Sequence, residues 1–182
     1  MGQALLERGA RVLLSDVDQA ALEEAVHALG AGASACVGDV RSVASMQEVA
    51  QAAQRHGGAI RVWVNNAGMA RHRAVVDYTE AEIEAMLSVN LKGTIVGSQV
   101  ALREMRRAGC GHIVNVISTA SLRGIPRESV YCAAKWGVRG FTQALREEAA
   151  PHGVRVSGLL PGGWIPPFGR ARWIERCRCR IF

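Results

Sequence analysis

The chain has 182 residues, of which 49% are apolar and 21% charged, and a formal net charge of +6. That length suits one α/β domain with a sizeable core and excludes two ordinary ones, while the apolar content excludes a disordered chain. No apolar run approaches the roughly 20 residues that span a bilayer, and the first residues lack the charged-then-apolar layout of a secretion signal, so a cytoplasmic protein with no membrane partner is expected.

The positive charge is unevenly spread. From Arg170 onward there are five arginines and one glutamate, which leaves only +2 for the preceding 169 residues. The basic character belongs to a tail, and nucleic acid is not an expected partner. The five cysteines (Cys36, Cys110, Cys132, Cys177 and Cys179) are odd in number and show no metal-type spacing with histidine. Free thiols in a reducing compartment and no metal site are the expectation.

In chain order, Gln3 to Arg8 reads as the remainder of a helix stopped by Gly9. Arg11 to Ser15 is a short apolar strand, and Asp18 can cap a helix that runs to Leu29, with Gly30 beyond its end. Ala33 to Val37 is the next strand. A helix from Ser42 or Ser45 ends near His56, before Gly57-Gly58, and Ile60 to Val64 is a third strand. Thr79-Glu-Ala-Glu82 fits a capping box, so a long helical region begins there and continues, with an irregularity, to Arg107. His112 to Ile117 is a near-continuous apolar strand of the kind buried on both faces. Ser129 to Ala150 is a helix, and Val154 to Leu160 a fifth strand. This alternation predicts a parallel sheet with helices on both faces, whose ligands bind beyond the carboxyl ends of the strands.

The residues at those ends are therefore the candidates. Asp16 follows the first strand; a carboxylate there can accept both hydroxyls of an adenosine ribose, although in isolation an acidic helix cap is the better explanation. Asp39-Val40 follows the second strand, where a carboxylate can meet an adenine amino group. Asn65-Asn-Ala-Gly68 follows the third, either as a backbone bend around a ligand or as a plain Asn/Gly turn. Ser118 follows the fourth. Tyr131 and Lys135 then stand at i and i+4 on a helix, which puts a phenol beside an ammonium and favours the phenolate. The chain has only two lysines and two tyrosines against 20 arginines, so this pair is more than generic surface decoration.

Taken in order, these motifs are similar to those of the short-chain dehydrogenase/reductase family. Tyr131-Cys-Ala-Ala-Lys135 resembles its YxxxK, Gly111 to Ser118 its strand leading to the catalytic serine, Asn65 to Gly68 its NNAG, Ser88-Val-Asn90 the segment with its fourth catalytic residue, and Pro161-Gly162 its PG. The resemblance covers about residues 1 to 165. It implies a Rossmann-type doubly wound sheet and an alcohol/carbonyl oxidoreductase acting on a small molecule. In that reading Tyr131 is the general acid/base, Ser118 steadies the substrate oxygen, Lys135 tunes Tyr131 and holds the nicotinamide ribose, and Asn90 holds a relay water. The cofactor set is Asp16, Asp39, Val40, Asn66, Ala67, Gly68, Tyr131, Lys135, Pro161 and Gly162, with NAD(H) favoured over NADP(H) by Asp16 and by the lack of an arginine just after it. The resemblance also implies a dimer or tetramer built on the two long helices.

The pattern departs from the family at both ends. Met1-Gly2 aligns with the last two residues of the TGxxxGxG loop, so the first, central strand is expected to be missing and to leave a gap with unpaired edges. After Pro161-Gly162 the usual threonine is absent, and the C-terminal strand and substrate lid are not recognisable. The expected organisation is an incomplete domain over residues 1–168 with an atypical arginine-rich tail over 169–182. Three functional readings stay open: the oxidoreductase, a catalytically dead fragment or binding module, and a basic nucleic-acid binder. His112 and Trp63 are expected to pack, and Arg71 and Arg73 to be solvated loop charges in preference to substrate contacts.

Overall fold

The computed structural model of the protein describes residues 2–162. The tail, with Cys177, Cys179 and the residues after Gly162, lies outside the described residues.

The elements follow the expected alternation: α1 (Gly2–Leu6), β1 (Val12–Asp16), α2 (Gln19–Leu29), β2 (Ala33–Val37), α3 (Val43–Gly57) and β3 (Val62–Asn65). Then come α4 (Glu80–Leu87), a π-helical turn (Ser88–Lys92), α5 (Gly93–Ala108), β4 (Gly111–Val116), α6 (Ser129–Ala149) and β5 (Val154–Leu159). Local chemistry explains their starts. The Asp18 carboxylate accepts the Ala21 N–H, and the Ser42 hydroxyl accepts the Ser45 N–H. Thr79 and Glu82 form the reciprocal capping box that the sequence indicates. Gly30, Gly58 and Gly109 end their helices at positive φ, where a side chain would be strained.

Among the described residues all strand pairs are parallel, but they form two sheets, β1–β2 and β3–β4–β5. The break falls between β1 and β3, where the sequence leads one to expect a missing central strand. A cavity of about 410 Å³ occupies it, lined by Leu5, Leu13, Val49, Ala53, Ile60 and Trp63 among others. Helices hold the two halves together. Val12 and Leu14 pack under α1 and α2, against Leu22 and Ala25. Leu13 joins the larger core, where Met46 and Val49 of α3 meet Val96, Val100 and Met105 of α5. Trp63 is buried as expected, with 1% of its surface exposed.

A hydrogen-bonded polar cluster crosses this core. Asn65 donates to Ser98 Oγ (2.9 Å) and Asn115 Oδ1 (2.8 Å) and accepts from Trp63 Nε1 (2.9 Å). Asn115 in turn donates to Thr142 Oγ1 at 2.9 Å. The cluster thus joins β3, β4, α5 and α6, and full pairing is what makes such burial tolerable. His112 packs, as expected, with Nε2 2.8 Å from Ser157 Oγ across the β4–β5 ladder. Burial, and secondarily Arg155, pushes its pKa below the ordinary value.

Candidate active site

The carboxyl ends of the strands gather most of the predicted site. Lys135 is the centre of the arrangement. It is only 4% exposed. Its Nζ donates to the Val116 carbonyl at 3.0 Å and lies 5.7 Å from the centroid of the Tyr131 ring. One turn of α6 thereby sets ammonium and phenol on the same face, as the i, i+4 spacing requires. The bond to Val116 ties that face to the end of β4, two residues before Ser118.

Ser118 is held by the turn it starts. Its Oγ accepts the Ala120 N–H at 3.1 Å, and its carbonyl accepts from Ser121 Oγ at 2.7 Å. The hydroxyl hydrogen can still be donated. The Thr119 N–H bonds the Pro161 carbonyl at 3.2 Å, which brings the Pro161-Gly162 segment beside the serine turn.

Asn90 stands in the π-helical turn, the irregularity expected there, and is fully buried. Its amide accepts the Met69 N–H (3.1 Å) and donates to the carbonyls of Met69 (2.8 Å) and Met86 (2.9 Å). Its own carbonyl receives the Thr94 hydroxyl at 2.9 Å. The sequence did not single out Thr94 or Met69; their role depends on the π-turn geometry. A Cβ built on Gly68 would lie 2.9 Å from Asn90 Oδ1 and 3.8 Å from Lys135 Nζ. Gly68, Asn90 and Lys135 therefore converge, and only a residue without a side chain leaves that space clear.

The remaining candidates lie at the ends of β1, β2 and β3. Asp16 is buried, and its Oδ1 accepts the Asp18 N–H at 3.1 Å. Asp39 is gripped by Arg41, whose Nε and Nη2 reach both carboxylate oxygens at 2.6–3.0 Å. Those bonds hold the Asp39 carboxyl below its ordinary pKa. Val40 turns inward, and a Cβ on Gly93 would meet it at 2.7 Å. Ala67 is buried, while Asn66 is half-buried.

Arg71 and Arg73 differ from expectation. Both pair with Glu82 Oε1, at 3.6 and 3.3 Å, because the loop after β3 folds back over the start of α4. The Arg73 N–H also bonds the Arg127 carbonyl at 2.9 Å, which joins this loop to the one before α6. Among the described residues, no group of three histidine, cysteine or carboxylate side chains could hold a metal, and no helix is long and apolar enough to cross a membrane.

A family model described as short chain dehydrogenase matches residues 1–172. The chain is 34% identical over 165 residues to a 2-(S)-hydroxypropyl-CoM dehydrogenase of Xanthobacter autotrophicus, covering 89% of this chain and 65% of the relative. It is 33% identical over 169 residues to levodione reductase of Leifsonia aquatica, covering 89% and 63%. A solved short chain dehydrogenase/reductase from Burkholderia phymatum, in complex with NAD, superposes with a TM-score of 0.83 at 30% identity, covering 91% of this chain and 62% of that one. The chain spans less than two thirds of the length of these relatives. The α/β architecture, the parallel pairing and these matches establish the class: the chain belongs to the short-chain dehydrogenase family of Rossmann-fold oxidoreductases. Cofactors in this family are NAD or NADP.

Proposed function

We propose that this chain carries the catalytic half of an NAD(H)-dependent oxidoreductase that interconverts a small alcohol and its carbonyl compound. The observation that supports it most is the placement of Lys135 Nζ between the end of β4 and the Tyr131 ring, beside Gly68 and Asn90. A nicotinamide nucleotide fits the donor set along the strand ends. Asp16 would take the adenosine ribose hydroxyls, Asp39 and Val40 the adenine, and Asn66, Ala67 and Gly68 the ribose side of the cleft. Pro161 and Gly162 would wall the nicotinamide, and Lys135 would hold its ribose. When bound, the nicotinamide supplies or accepts the hydride.

The chain's own residues handle the proton. In reduction Tyr131 donates its phenolic proton to the carbonyl oxygen; in oxidation the phenolate removes the alcohol proton. The Ser118 hydroxyl donates a hydrogen bond to the same oxygen as charge builds on it. The Lys135 ammonium, 5.7 Å from the centroid of the Tyr131 ring, would stabilise the phenolate. Asn90 fixes the Met69 loop to the π-turn, and its own carbonyl, which accepts the Thr94 hydroxyl, would also hold a relay water. Residues 1–168 would form the one catalytic domain, with 169–182 as an appendage and the cytoplasm as its setting. Homo-oligomerisation would use α4–α5 and α6, where Ile95 and Trp136 are exposed.

The second reading is a binding module without turnover, favoured by the break in the sheet between the ends that carry Asp16 and Ser118. Titration with NADH, followed by its fluorescence, separates the two. The oxidoreductase reading expects saturable binding, weaker binding of NADPH, and loss of NADH affinity in Asp16→Ala. No binding of either nucleotide would remove it, and equal affinity for both would remove the role given to Asp16.

A further inference from the structure

The loop between β3 and α4 carries two arginines, Arg71 and Arg73, that the proposed chemistry leaves unused. The course of the loop places them. It starts at Gly68, where a Cβ would lie 3.8 Å from Lys135 Nζ. Asn90 clamps the next residue, Met69, by both of its backbone groups. The Arg73 N–H then bonds the carbonyl of Arg127, at the approach to α6 and Tyr131. Between these anchors the Tyr78 hydroxyl donates to the Arg71 carbonyl at 2.6 Å. Residues 69–73 thus run from the Lys135 corner of the cleft to the segment that leads into Tyr131. Three residues of chain reach at most about 11 Å, so Arg71 stays close to Gly68 and that corner.

The charges of the two arginines are poorly matched within the chain. Both guanidiniums share a single atom, Glu82 Oε1, at 3.6 Å from Arg71 and 3.3 Å from Arg73. Charge-assisted N–H···O bonds are about 2.7–2.9 Å long, so neither contact is one. Arg73 also reaches the Asp77 carbonyl, at 3.5 Å. The other oxygen of Glu82 is committed to the Thr79 N–H in the capping box, at 3.1 Å. Arg71 Nε is buried and, among the described residues, has no hydrogen-bond partner. Buried donors are nearly always paired, so an unpaired one on a charged side chain points to a partner from outside the chain. The two side chains are 37% and 43% exposed, so each can be approached from solvent. A planar guanidinium fits a carboxylate through two parallel N–H···O bonds, a match that favours that anion over a neutral polar group.

We propose that Arg71 and Arg73 form a carboxylate subsite beside the cleft, and that the preferred substrate is a keto acid or the corresponding hydroxy acid. The inference rests on the oxidoreductase reading given above. The substrate carboxylate lies against the two guanidiniums, where Glu82 competes with it at long range. The carbonyl oxygen lies at Ser118 and Tyr131.

The test uses the full 182-residue chain and two keto acids, acetoacetate and levulinate, each compared with its neutral amide. Binding is measured by calorimetry at low ionic strength, with and without NADH. At least one acid is expected to bind about tenfold more tightly than its amide, the size of one charge-assisted hydrogen bond. Arg71→Gln should bring acid and amide to equal affinity. Glu82→Gln keeps a side chain that serves the capping box and removes the competing charge, so it should tighten binding of the acid. Equal binding of acid and amide in the parent, no binding of either acid, or a preference that survives Arg71→Gln overturns the proposal. Weaker binding of the acid in Glu82→Gln also overturns it, and decides the matter alone if Arg71→Gln does not fold. Deuterium transfer from labelled NADH separates the two readings. Selective binding of the acids without transfer would remove the oxidoreductase reading and leave the subsite. Transfer to neutral ketones with no preference for acids would remove the subsite alone.

Discussion

Replacing Tyr131 with phenylalanine is expected to lower turnover by about 10²–10⁴-fold, the usual contribution of a positioned acid or base. The change removes one oxygen and keeps the ring. The ring's contact with the Lys135 ammonium survives, and so does the Lys135 bond to Val116. The ring keeps its packing, so the variant is expected to fold. NAD reduction with a panel of small secondary alcohols gives the rate, and thermal melting gives the control. A variant that keeps most of its activity would sink the acid/base role. A variant that loses activity together with its fold would show Tyr131 to be structural.

The second large effect is on stability. Gly97 of α5 faces the buried cluster, and a Cβ there would collide with Asn65 Oδ1 and lie 3.1 Å from Trp63 Nε1. Neither neighbour can yield cheaply. Asn65 is held by Trp63, Ser98 and Asn115, and Trp63 is enclosed by the core. Gly97→Ala should gain about 1 kcal/mol of helix propensity. Against that stand overpacking, about 1–3 kcal/mol, and a displaced buried hydrogen bond, again about 1–3 kcal/mol. The expected net loss is on the order of 3 kcal/mol, seen as a fall of roughly 6–12 °C in melting temperature for a chain of this size. An unchanged or raised melting temperature would mean that the cluster can rearrange. Gly140→Ala is the matched control, since a Cβ at Gly140 meets nothing within 4 Å.

The sequence made much of this legible because local chemistry and long-range packing agree. Ser42, Asp18 and the Thr79–Glu82 box start helices where their side chains say they should. The irregularity at Asn90 is a π-turn, and the i, i+4 pair Tyr131–Lys135 shares a face. The gap expected from the first two residues is visible as two separate sheets.

What was not legible depends on partners distant in sequence. β3 ends at Asn65, not Val64, because Asn65 pairs in register with Asn115, 50 residues later. An asparagine after three apolar residues otherwise reads as the start of a turn. β1 starts at Val12, not Arg11, because its ladder with β2 begins there, while the Arg11 side chain reaches the His56 carbonyl at 2.8 Å. Arg71 and Arg73 read as solvated charges until the loop's return over α4 sets Glu82 between them. The grip of Arg41 on Asp39 spans only two residues, but it needs the turn conformation that brings a guanidinium onto both carboxylate oxygens.

In the proposed reaction the chain moves hydride between a nicotinamide and a carbonyl carbon, and Tyr131 handles the proton. The most direct measurement is isotope transfer. The protein is incubated with NADH deuterated at nicotinamide C4 and a panel of small ketones, and the alcohol products are examined by mass spectrometry. Deuterium is expected on the carbinol carbon with the parent chain, and at least a hundredfold less with Tyr131→Phe, in line with the general-acid contribution. Deuterium transfer that is absent from the parent, or undiminished in the variant, would contradict it.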